Sequence, residues 1–316
     1  MDVMGAAFST GHDVWGYRQW YAHRSLWDLK ATGANYVQIS IYTKMNNLQA
    51  LEATQETDDE SIRYIIRTVK NTGMKVFLKP VVEISGHTWR GFLTGRPIWF
   101  RKVYRPFITH IAEIAQEEGV DLFAIGSEYR NSEVQVKEWN KTIDAVKRIY
   151  YGPITYIANH DSYRRFKLWH RMDYISISAY FQLMGGVRGP SPSLNDTKRM
   201  WKHISDDVWR WRKWRQLTSK KVLIAEVGVQ SKGDGVVYRV PWDWTVAAPV
   251  DFNEQNKMYE GICDAFADPT WVAGIVFWNW ELQPHAGTYY PGISGYTPQN
   301  KPALQVMRRY FSHSHS

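Results

Sequence analysis

Apolar runs of β-favouring residues alternate with amphipathic stretches along the whole chain. Eight runs are typical of strands, and they lie at 3–9, 36–42, 75–84, 122–128, 154–160, 174–180, 221–228 and 273–280. Helix-like stretches lie between them, at 18–32, 58–72, 98–118, 133–150, 195–217 and 253–267, with a short one near 162–171 and a last one at 300–311. This repeated alternation predicts an α/β fold, a single (β/α)8 barrel of the TIM type.

Turn signals and strand composition agree with a parallel barrel. Glycines that can close a helix stand in the pairs 32–33, 72–73 and 118–119. Runs such as FLKPVV and VLIAEVG are almost continuously apolar, as expected of parallel strands that are buried on both faces. An open doubly wound sheet is the alternative, but no glycine-rich phosphate loop follows the first run.

No Pro/Ser-rich linker divides the chain, so we expect one catalytic domain over residues 1–316. The last residues, 313–316, read as a disordered tail or an expression remnant. No run of some 18 apolar residues occurs, and MDVMGAAFST lacks the basic start and apolar stretch of a signal peptide. We therefore expect no membrane partner, and either a cytoplasmic protein or a secreted one whose signal has been removed.

The formal net charge of +8 would suit a polyanionic partner such as nucleic acid. Its best local support is DVWRWRKWRQ at 207–216. At helical spacing, however, one stripe is formed by Trp201, Ile204, Val208, Trp211 and Arg215. This pattern is typical of an amphipathic helix with a solvated basic face, and no recognised nucleic-acid motif accompanies it. We expect no nucleic-acid partner.

Two of the apolar runs end on an ionisable carboxyl, the fourth at Glu128 and the seventh at Glu226. Active sites of this fold lie at the carboxyl ends of the strands, where side chains from different strands converge. One such glutamate alone often caps a helix or pairs with a lysine. Two facing one pocket are what glycoside hydrolysis needs, because one protonates the departing oxygen while the other attacks carbon or activates water.

Short segments spread over the whole chain carry a resemblance to a known family. They are RSLWDLKATGANYVQIS after the first run, FLKPVVE on the third, IGSEY on the fourth, ISAYF on the sixth, IAEVG on the seventh, GIVFWNW on the eighth and the closing YTPQNKPA. In order and spacing the chain resembles glycoside hydrolase family 113 of clan A. The described members of that family are chiefly endo-β-1,4-mannanases of the retaining type.

The resemblance implies roles for four side chains. Glu128 would be the general acid/base and Glu226 the nucleophile that forms the glycosyl-enzyme ester. Tyr180 would hydrogen-bond the nucleophile, and Trp278 would form the floor of the sugar subsite at the cleavage point. One departure is Ser127, since many clan A families place Asn before the acid/base, and the contact to the sugar 2-hydroxyl is therefore unassigned.

Further polar residues at strand ends are candidates for substrate binding. Lys79 is costly to bury unpaired, so it either binds substrate or holds an acidic neighbour such as Glu83. Asn159 and His160 end the fifth run, and we expect them to form a polar wall of a subsite. His160 and Asp161 could begin a metal site, but no spaced third ligand is evident, and we expect neither metal nor cofactor.

The aromatic content, with 16 Trp and 19 Tyr, suits sugar binding, because flat side chains stack on the apolar faces of sugar rings. The informative cases lie in loops beyond strand ends. They are Trp89, Trp242, Trp244, Trp280, Tyr289 and Tyr290. The segment 230–252 is long for a connection, as substrate-binding loops often are.

Together these features predict a monomeric retaining glycoside hydrolase acting on a β-1,4-linked hexose polysaccharide or oligosaccharide, with β-mannan as the first candidate. Chitosan and other β-1,4-glycans remain alternatives within the same mechanism. A non-catalytic carbohydrate-binding barrel is the alternative of a different class, since stacking aromatics would serve both.

Overall fold

Eight parallel strands close into a barrel in the computed structural model, which describes residues 1–9, 16–187, 189–283 and 292–313. The strands are β1 (Val3–Phe8), β2 (Tyr36–Met45), β4 (Lys75–Ile84), β5 (Leu122–Ser127), β6 (Ile154–Asn159), β7 (Tyr174–Ser178), β8 (Lys221–Gly228) and β9 (Val272–Trp280). A two-residue strand, β3 (Thr54–Gln55), pairs antiparallel with β2. Pairing of β1 with both β9 and β2 closes the ring, so the predicted (β/α)8 barrel is confirmed.

Helices connect the strands on the outside of the barrel. They are α1 (Trp20–Lys30), α2 (Asp59–Asn71), α3 (Pro97–Trp99), α4 (Arg105–Glu117), α5 (Val136–Lys147), α6 (Leu194–Trp214), α7 (Val236–Arg239), α8 (Phe252–Ala265) and α9 (Ala303–His313). A π-helical turn, Phe100–Tyr104, joins α3 to α4. Helix α9 includes His313, the first residue of the predicted tail, whereas 314–316 lie outside the described residues.

The connection from β6 to β7 differs most from the prediction. In place of a helix near 162–171 it holds turns and a single 3-10 turn, Trp169–Arg171. The indole N–H of Trp169 donates to the backbone carbonyl of Tyr163 at 2.8 Å, and both rings are buried. Side chains therefore take up backbone groups that a regular helix would pair.

The helix ends follow local signals in the sequence. Asp58, Ser193 and Asp251 cap α2, α6 and α8, each accepting a hydrogen bond from a backbone N–H of the first turn. The glycines at 33, 73 and 119 all have positive φ, as predicted for residues that close a helix.

The core has two apolar layers. One fills the amino-terminal half of the barrel interior and includes Val3, Phe77, Leu122, Leu223 and Val276. The other lies between the strands and the helices and continues around the barrel. Polar side chains replace apolar ones inside the barrel toward the carboxyl ends of the strands, where Gln38, Lys79, Ser178 and Glu226 are buried. The polar end of the barrel is thus the end at which a site can form.

Within the described part of the chain, no helix has both the length and the apolar composition needed to cross a membrane.

Candidate active site

The fourth and seventh predicted runs are β5 and β8, and each changes register close to its glutamate. Between β5 and β6 the pairing steps from Ala124–Thr155 to Ser127–Ile157, which leaves one extra residue on β5. Between β7 and β8 it steps from Ile177–Ile224 to Ser178–Glu226, with Ala225 as the extra residue. Bulges of this kind change the direction of nearby side chains. Each of these two bulges lies next to a glutamate, the first next to Glu128 and the second next to Glu226.

Glu128 follows β5 in the left-handed backbone region, with φ of 59°. This conformation is uncommon for a residue with a side chain and is found mostly where the surroundings enforce it. The Glu128 N–H donates to the carbonyl of Ile157 at 2.8 Å, so β6 holds the turn. The side chain is buried at the carboxyl end of the barrel.

Glu226 lies within β8 and is held at both carboxylate oxygens. The ammonium of Lys79 donates to Oε2 at 2.6 Å, and the Tyr180 hydroxyl donates to Oε1 at 2.9 Å. Across the barrel, the buried amide of Gln38 donates to the carbonyl of Ala225 at 2.8 Å and thereby fixes the bulge beside Glu226. A carboxylate with both oxygens bonded to donors has a defined orientation.

Lys79 therefore pairs with Glu226. Glu83, which the sequence offered as a possible acidic partner of Lys79, pairs with another cation. The ammonium also lies 4.9 Å from the ring centroid of Trp278. Burial of Lys79 is tolerable because it has an ion pair and a ring face as partners.

Glu128 has its own cation, Arg90. The guanidinium Nη2 donates to Glu128 Oε2 at 2.7 Å, while Nη1 donates to Glu83 Oε1 at 2.7 Å. Burial would raise the pKa of the Glu128 carboxyl, but the Arg90 charge opposes this most strongly. With smaller contributions from the Ser178 hydroxyl, Lys79 and His160, the pKa lies below its ordinary value.

The two carboxylates belong to one electrostatic site. Burial lowers the pKa of Arg90, but the charges of Glu83, Glu128 and Glu226 outweigh it and raise that pKa. Burial is also the largest cause of the raised pKa of Tyr180, to which both Glu226 and Glu128 contribute. Tyr180 therefore keeps its proton and acts as a donor to Glu226.

Ser127 and Asn159 lie beside the carboxylates in the sheet. Asn159 pairs in register with Ser178, which pairs with Glu226. The Asn159 amide donates to Asp161 at 2.8 Å. Ser127 is wholly buried and its hydroxyl has no hydrogen-bond partner among the described residues, so the contact to a sugar hydroxyl that an Asn would make stays unassigned.

Aromatic side chains stand at the carboxyl ends of the strands and in the loops that follow them. Trp242 is 43% exposed and stacks on His160, with ring centroids 5.4 Å apart. Trp244 is 47% exposed and contacts His87 edge to face. Trp89 packs edge to face on Phe92, in the loop that also carries Arg90. Trp278 precedes a cis peptide bond to Asn279 at the end of β9.

Trp280 does not join this group. It is 2% exposed, and its indole N–H donates to the Ser25 carbonyl at 2.9 Å, so the ring packs between β9 and α1. In a regular strand Trp278 and Trp280 would share a face. The register with β1 steps from Ala6–Phe277 to Phe8–Trp280, and this extra residue on β9 turns Trp280 away. Tyr289 and Tyr290 lie outside the described residues.

Asp161, considered above as a possible metal ligand beside His160, is engaged by other side chains. Asp161 accepts from Asn159 and forms an ion pair with Arg130 at 3.0 Å, so both its oxygens have partners. Burial is the main cause of the lowered pKa of His160, which favours the neutral ring. Among the described residues no group of three or more acidic, histidine or cysteine side chains could hold a metal ion.

Arg90 and Gln38 were not predicted from the sequence as parts of the site, and Glu83 was considered only as a partner of Lys79. Arg90 stands in a loop, where a lone arginine looks like any solvated cation. Its neighbour Trp89 was singled out, and that was the only available signal. The partner of a buried charge depends on which strands face each other across the barrel, and pattern along the chain does not contain this information.

Paired carboxylates at the carboxyl ends of barrel strands are the chemical means by which proteins cleave glycosidic bonds. Fold and site together place the protein among the retaining glycoside hydrolases, and its substrate is a carbohydrate. The sequence profile of Glycoside Hydrolase Family 113 matches residues 7–301. The chain belongs to this family.

Solved structures agree with this assignment, whereas no curated protein sequence matches the chain. The GH113 β-mannanase AaManA from Alicyclobacillus acidocaldarius, solved in complex with ManMIm, is similar with a TM-score of 0.84 and 25% identity, over 98% of this chain and 97% of that one. A GH113 β-1,4-mannanase complex has a TM-score of 0.81 at 22% identity, over 99% of both chains. A glycoside hydrolase of subfamily GH5_18 from Streptomyces cattleya shares the fold more distantly, with a TM-score of 0.67 at 11% identity, over 100% of this chain and 81% of its own.

Proposed function

We propose that the protein is an endo-β-1,4-mannanase that works by double displacement, with Glu226 as nucleophile and Glu128 as general acid/base. The observation that carries this proposal is the pair of buried carboxylates, each bound to a different cation at the same end of the barrel. The β-mannanase AaManA, 25% identical over almost the whole chain, supports mannan as the substrate.

In the first step, the Glu226 carboxylate attacks the anomeric carbon and the glycosidic bond breaks. Lys79 and Tyr180 hold both oxygens of Glu226, so the nucleophile meets the sugar in one orientation and little ordering remains for the transition state. Glu128 gives its proton to the departing oxygen. The products are a glycosyl ester on Glu226 and a shortened chain with a free hydroxyl.

In the second step, Glu128 is a carboxylate and removes a proton from water, whose oxygen attacks the anomeric carbon. The ester breaks and Glu226 leaves as a carboxylate, again bonded to Lys79 and Tyr180. Two inversions give net retention of the β configuration. Both proton transfers use Glu128, and water is the second reactant.

Aromatic side chains near the two carboxylates would bind the substrate. We propose that Trp278 forms the floor of the subsite at the cleavage point, since Lys79 ties it to the nucleophile. Trp242 and Trp244, both about half exposed, would stack on sugars further along the chain, with Asn159 and His160 as a polar wall and Trp89 at the rim. A row of contacts outside the cleavage point suits an endo-acting enzyme.

Product analysis tests the proposal. Wild type and Glu226→Gln should be incubated side by side with β-1,4-mannan, mannooligosaccharides, chitosan and cellooligosaccharides. We expect wild type to release short oligosaccharides from mannan and Glu226→Gln to release none while it still binds them. Cleavage of chitosan or cellooligosaccharides in place of mannan would refute the substrate, and binding without cleavage by wild type would make the protein a sugar-binding barrel.

A further inference from the structure

Arg90 is shared by two carboxylates at equal distances. Its Nη1 and Nη2 atoms each donate at 2.7 Å, to Glu83 and to Glu128, and Nε donates to the Ser127 carbonyl at 3.2 Å. The Arg90 side chain is largely shielded from water. One guanidinium therefore divides its charge between Glu83 and Glu128, and whatever weakens one pair strengthens the other.

Glu128 must change its protonation state twice in each double displacement. It holds a proton when the leaving oxygen departs and is ionised when water attacks. A cation bonded to a carboxylate stabilises only the ionised form. Arg90 therefore opposes the first step and favours the second, and the balance between the two steps depends on how firmly it holds Glu128.

We propose that Arg90 and Glu83 form a positioning pair that sets the protonation of Glu128 during turnover. Arg90 prepares Glu128 to act as a base, and Glu83, by keeping part of the guanidinium charge, lets Glu128 retain a proton for the first step. This inference rests on the proposed function and deepens it, because it adds two residues that act through the acid/base.

The cycle itself changes the field at Glu128. While Glu226 is ionised, its charge favours a protonated neighbour; once Glu226 is esterified, that charge is gone and the hold of Arg90 on Glu128 is less opposed. The proton that Glu128 has just given to the leaving group is then not regained before water arrives. Arg90 thus favours the ionised Glu128 at the stage of the cycle at which a base is needed.

Other groups face Glu128 from the remaining elements. The charged or titratable ones are Lys79 on β4, His160 after β6, Tyr180 after β7 and Glu226 on β8, with the Ser178 hydroxyl on β7. Lys79 is bonded to Glu226, and burial is the main cause that lowers the pKa of the His160 ring. The cation that contacts Glu128 through an ion pair is Arg90.

Two substitutions at the pair should shift the pH profile in opposite directions. Arg90→Met removes the charge and keeps much of the length, so Glu128 should hold its proton to higher pH. The alkaline limb of kcat/KM on the shortest unactivated β-1,4-oligosaccharide that wild type cleaves should move up by about one to two pH units. Glu83→Gln leaves the guanidinium to Glu128 alone, and the limb should move down by about half a unit or more.

Controls separate this effect from simple damage. Arg90→Lys keeps a positive charge but loses the two terminal nitrogens that bond to Glu83 and Glu128. The alkaline limb of its kcat/KM profile should lie between those of wild type and Arg90→Met. Thermal unfolding checks that each variant is folded. A merely structural role for Arg90 would lower kcat/KM at every pH without moving the limb. If Arg90→Met does not fold, Glu83→Gln and Arg90→Lys still give predicted shifts.

The proposed function has a separate test in the same experiment. Glu128→Ala should cleave an activated aryl glycoside and be accelerated by azide, because azide replaces water and needs no base. Without azide rescue, the acid/base assignment fails and the role of the pair fails with it. If azide does rescue Glu128→Ala, two results would refute the proposed role of Arg90 and Glu83 alone. One is an alkaline limb that does not move, and the other is a shift of Arg90→Met and Glu83→Gln in the same direction.

Discussion

At the scale of single residues, Glu226 and Glu128 each pair with a cation on β4 or in the loop that follows it. Lys79 bonds to Glu226 and Arg90 to Glu128, both through contacts shorter than 3 Å. The two differ in sharing: Lys79 has one anion, whereas Arg90 has two. The unshared cation suits the proposed nucleophile, which stays ionised, and the shared cation suits the proposed acid/base, which alternates between two protonation states.

Tyr180→Phe should lower kcat/KM by about 10- to 100-fold, because Glu226 loses one of the two donors that fix its orientation. Steady-state kinetics on a mannooligosaccharide measures this. Tyr150→Phe is a matched control: its buried hydroxyl donates to the Val120 carbonyl near the amino ends of the strands, so it should cost stability and leave kcat unchanged. Equal kinetics for Tyr180→Phe and wild type would contradict the role of Tyr180.

Trp242→Ala should weaken the use of long chains more than short ones. Loss of one stacking ring costs about 0.5–1.5 kcal/mol, so kcat/KM on a six-sugar chain should fall about 2- to 10-fold. An aryl glycoside that occupies only the cleavage subsite should be unaffected. Trp214→Ala is the control, because Trp214 is 75% exposed at the end of α6. It should change kcat/KM on neither substrate. Identical losses on long and short substrates would place Trp242 at the cleavage point.

At the scale of elements, the loop after β5 carries two buried carboxyls, Glu133 and the proposed acid/base Glu128. Glu133 accepts hydrogen bonds from Ser162 at 2.8 Å and from Tyr156 at 3.2 Å. The Tyr156 hydroxyl in turn accepts from the N–H of Tyr129, the residue after Glu128. Burial is the main cause that raises the pKa of Glu133 to about 8.

This raised pKa makes stability depend on pH. Between about pH 4.5 and 8 the folded protein keeps a proton on Glu133 that the unfolded chain has released. Its stabilising contribution is therefore complete below about pH 4.5 and is lost as pH rises towards 8. Glu133→Gln cannot ionise, so its unfolding free energy should exceed that of wild type by an amount that grows across this window.

Urea unfolding of both proteins at several pH values measures that difference. Glu118→Gln is the control, because Arg67 is the main cause that lowers the pKa of Glu118, and its substitution should give no divergence between these pH values. A constant difference between Glu133→Gln and wild type would show that Glu133 is ionised in the folded protein throughout.

At the scale of the whole molecule, most of the fold could be predicted from the sequence, because parallel strands buried on both faces leave a continuous apolar signal. The bounds of β4 and β8 agree with the predicted runs at both ends. The short helix near 162–171 could not be predicted correctly, since buried Tyr163 and Trp169 direct the backbone there by tertiary contacts.

The site was predictable only where chemistry coincides with a strand end. Glu128 and Glu226 stand out for that reason, and so does Tyr180. Arg90 does not, because its partners come from distant parts of the chain. Trp280 was misplaced because it was taken for a loop residue, whereas it ends β9 and packs against α1. A single domain, a monomeric state and the lack of a nucleic-acid partner stay predictions.

The most direct test of the account is to trap the covalent intermediate. With a 2-deoxy-2-fluoro mannosyl fluoride, the enzyme should form the glycosyl ester quickly and hydrolyse it slowly. The fluorine at carbon 2 destabilises the transition states of both steps, whereas the fluoride leaving group accelerates only the first step. Mass spectrometry of the digested protein should find one added sugar on the peptide containing Glu226. An adduct on any other residue would contradict the assignment of the nucleophile, and turnover with inversion and no adduct would contradict double displacement.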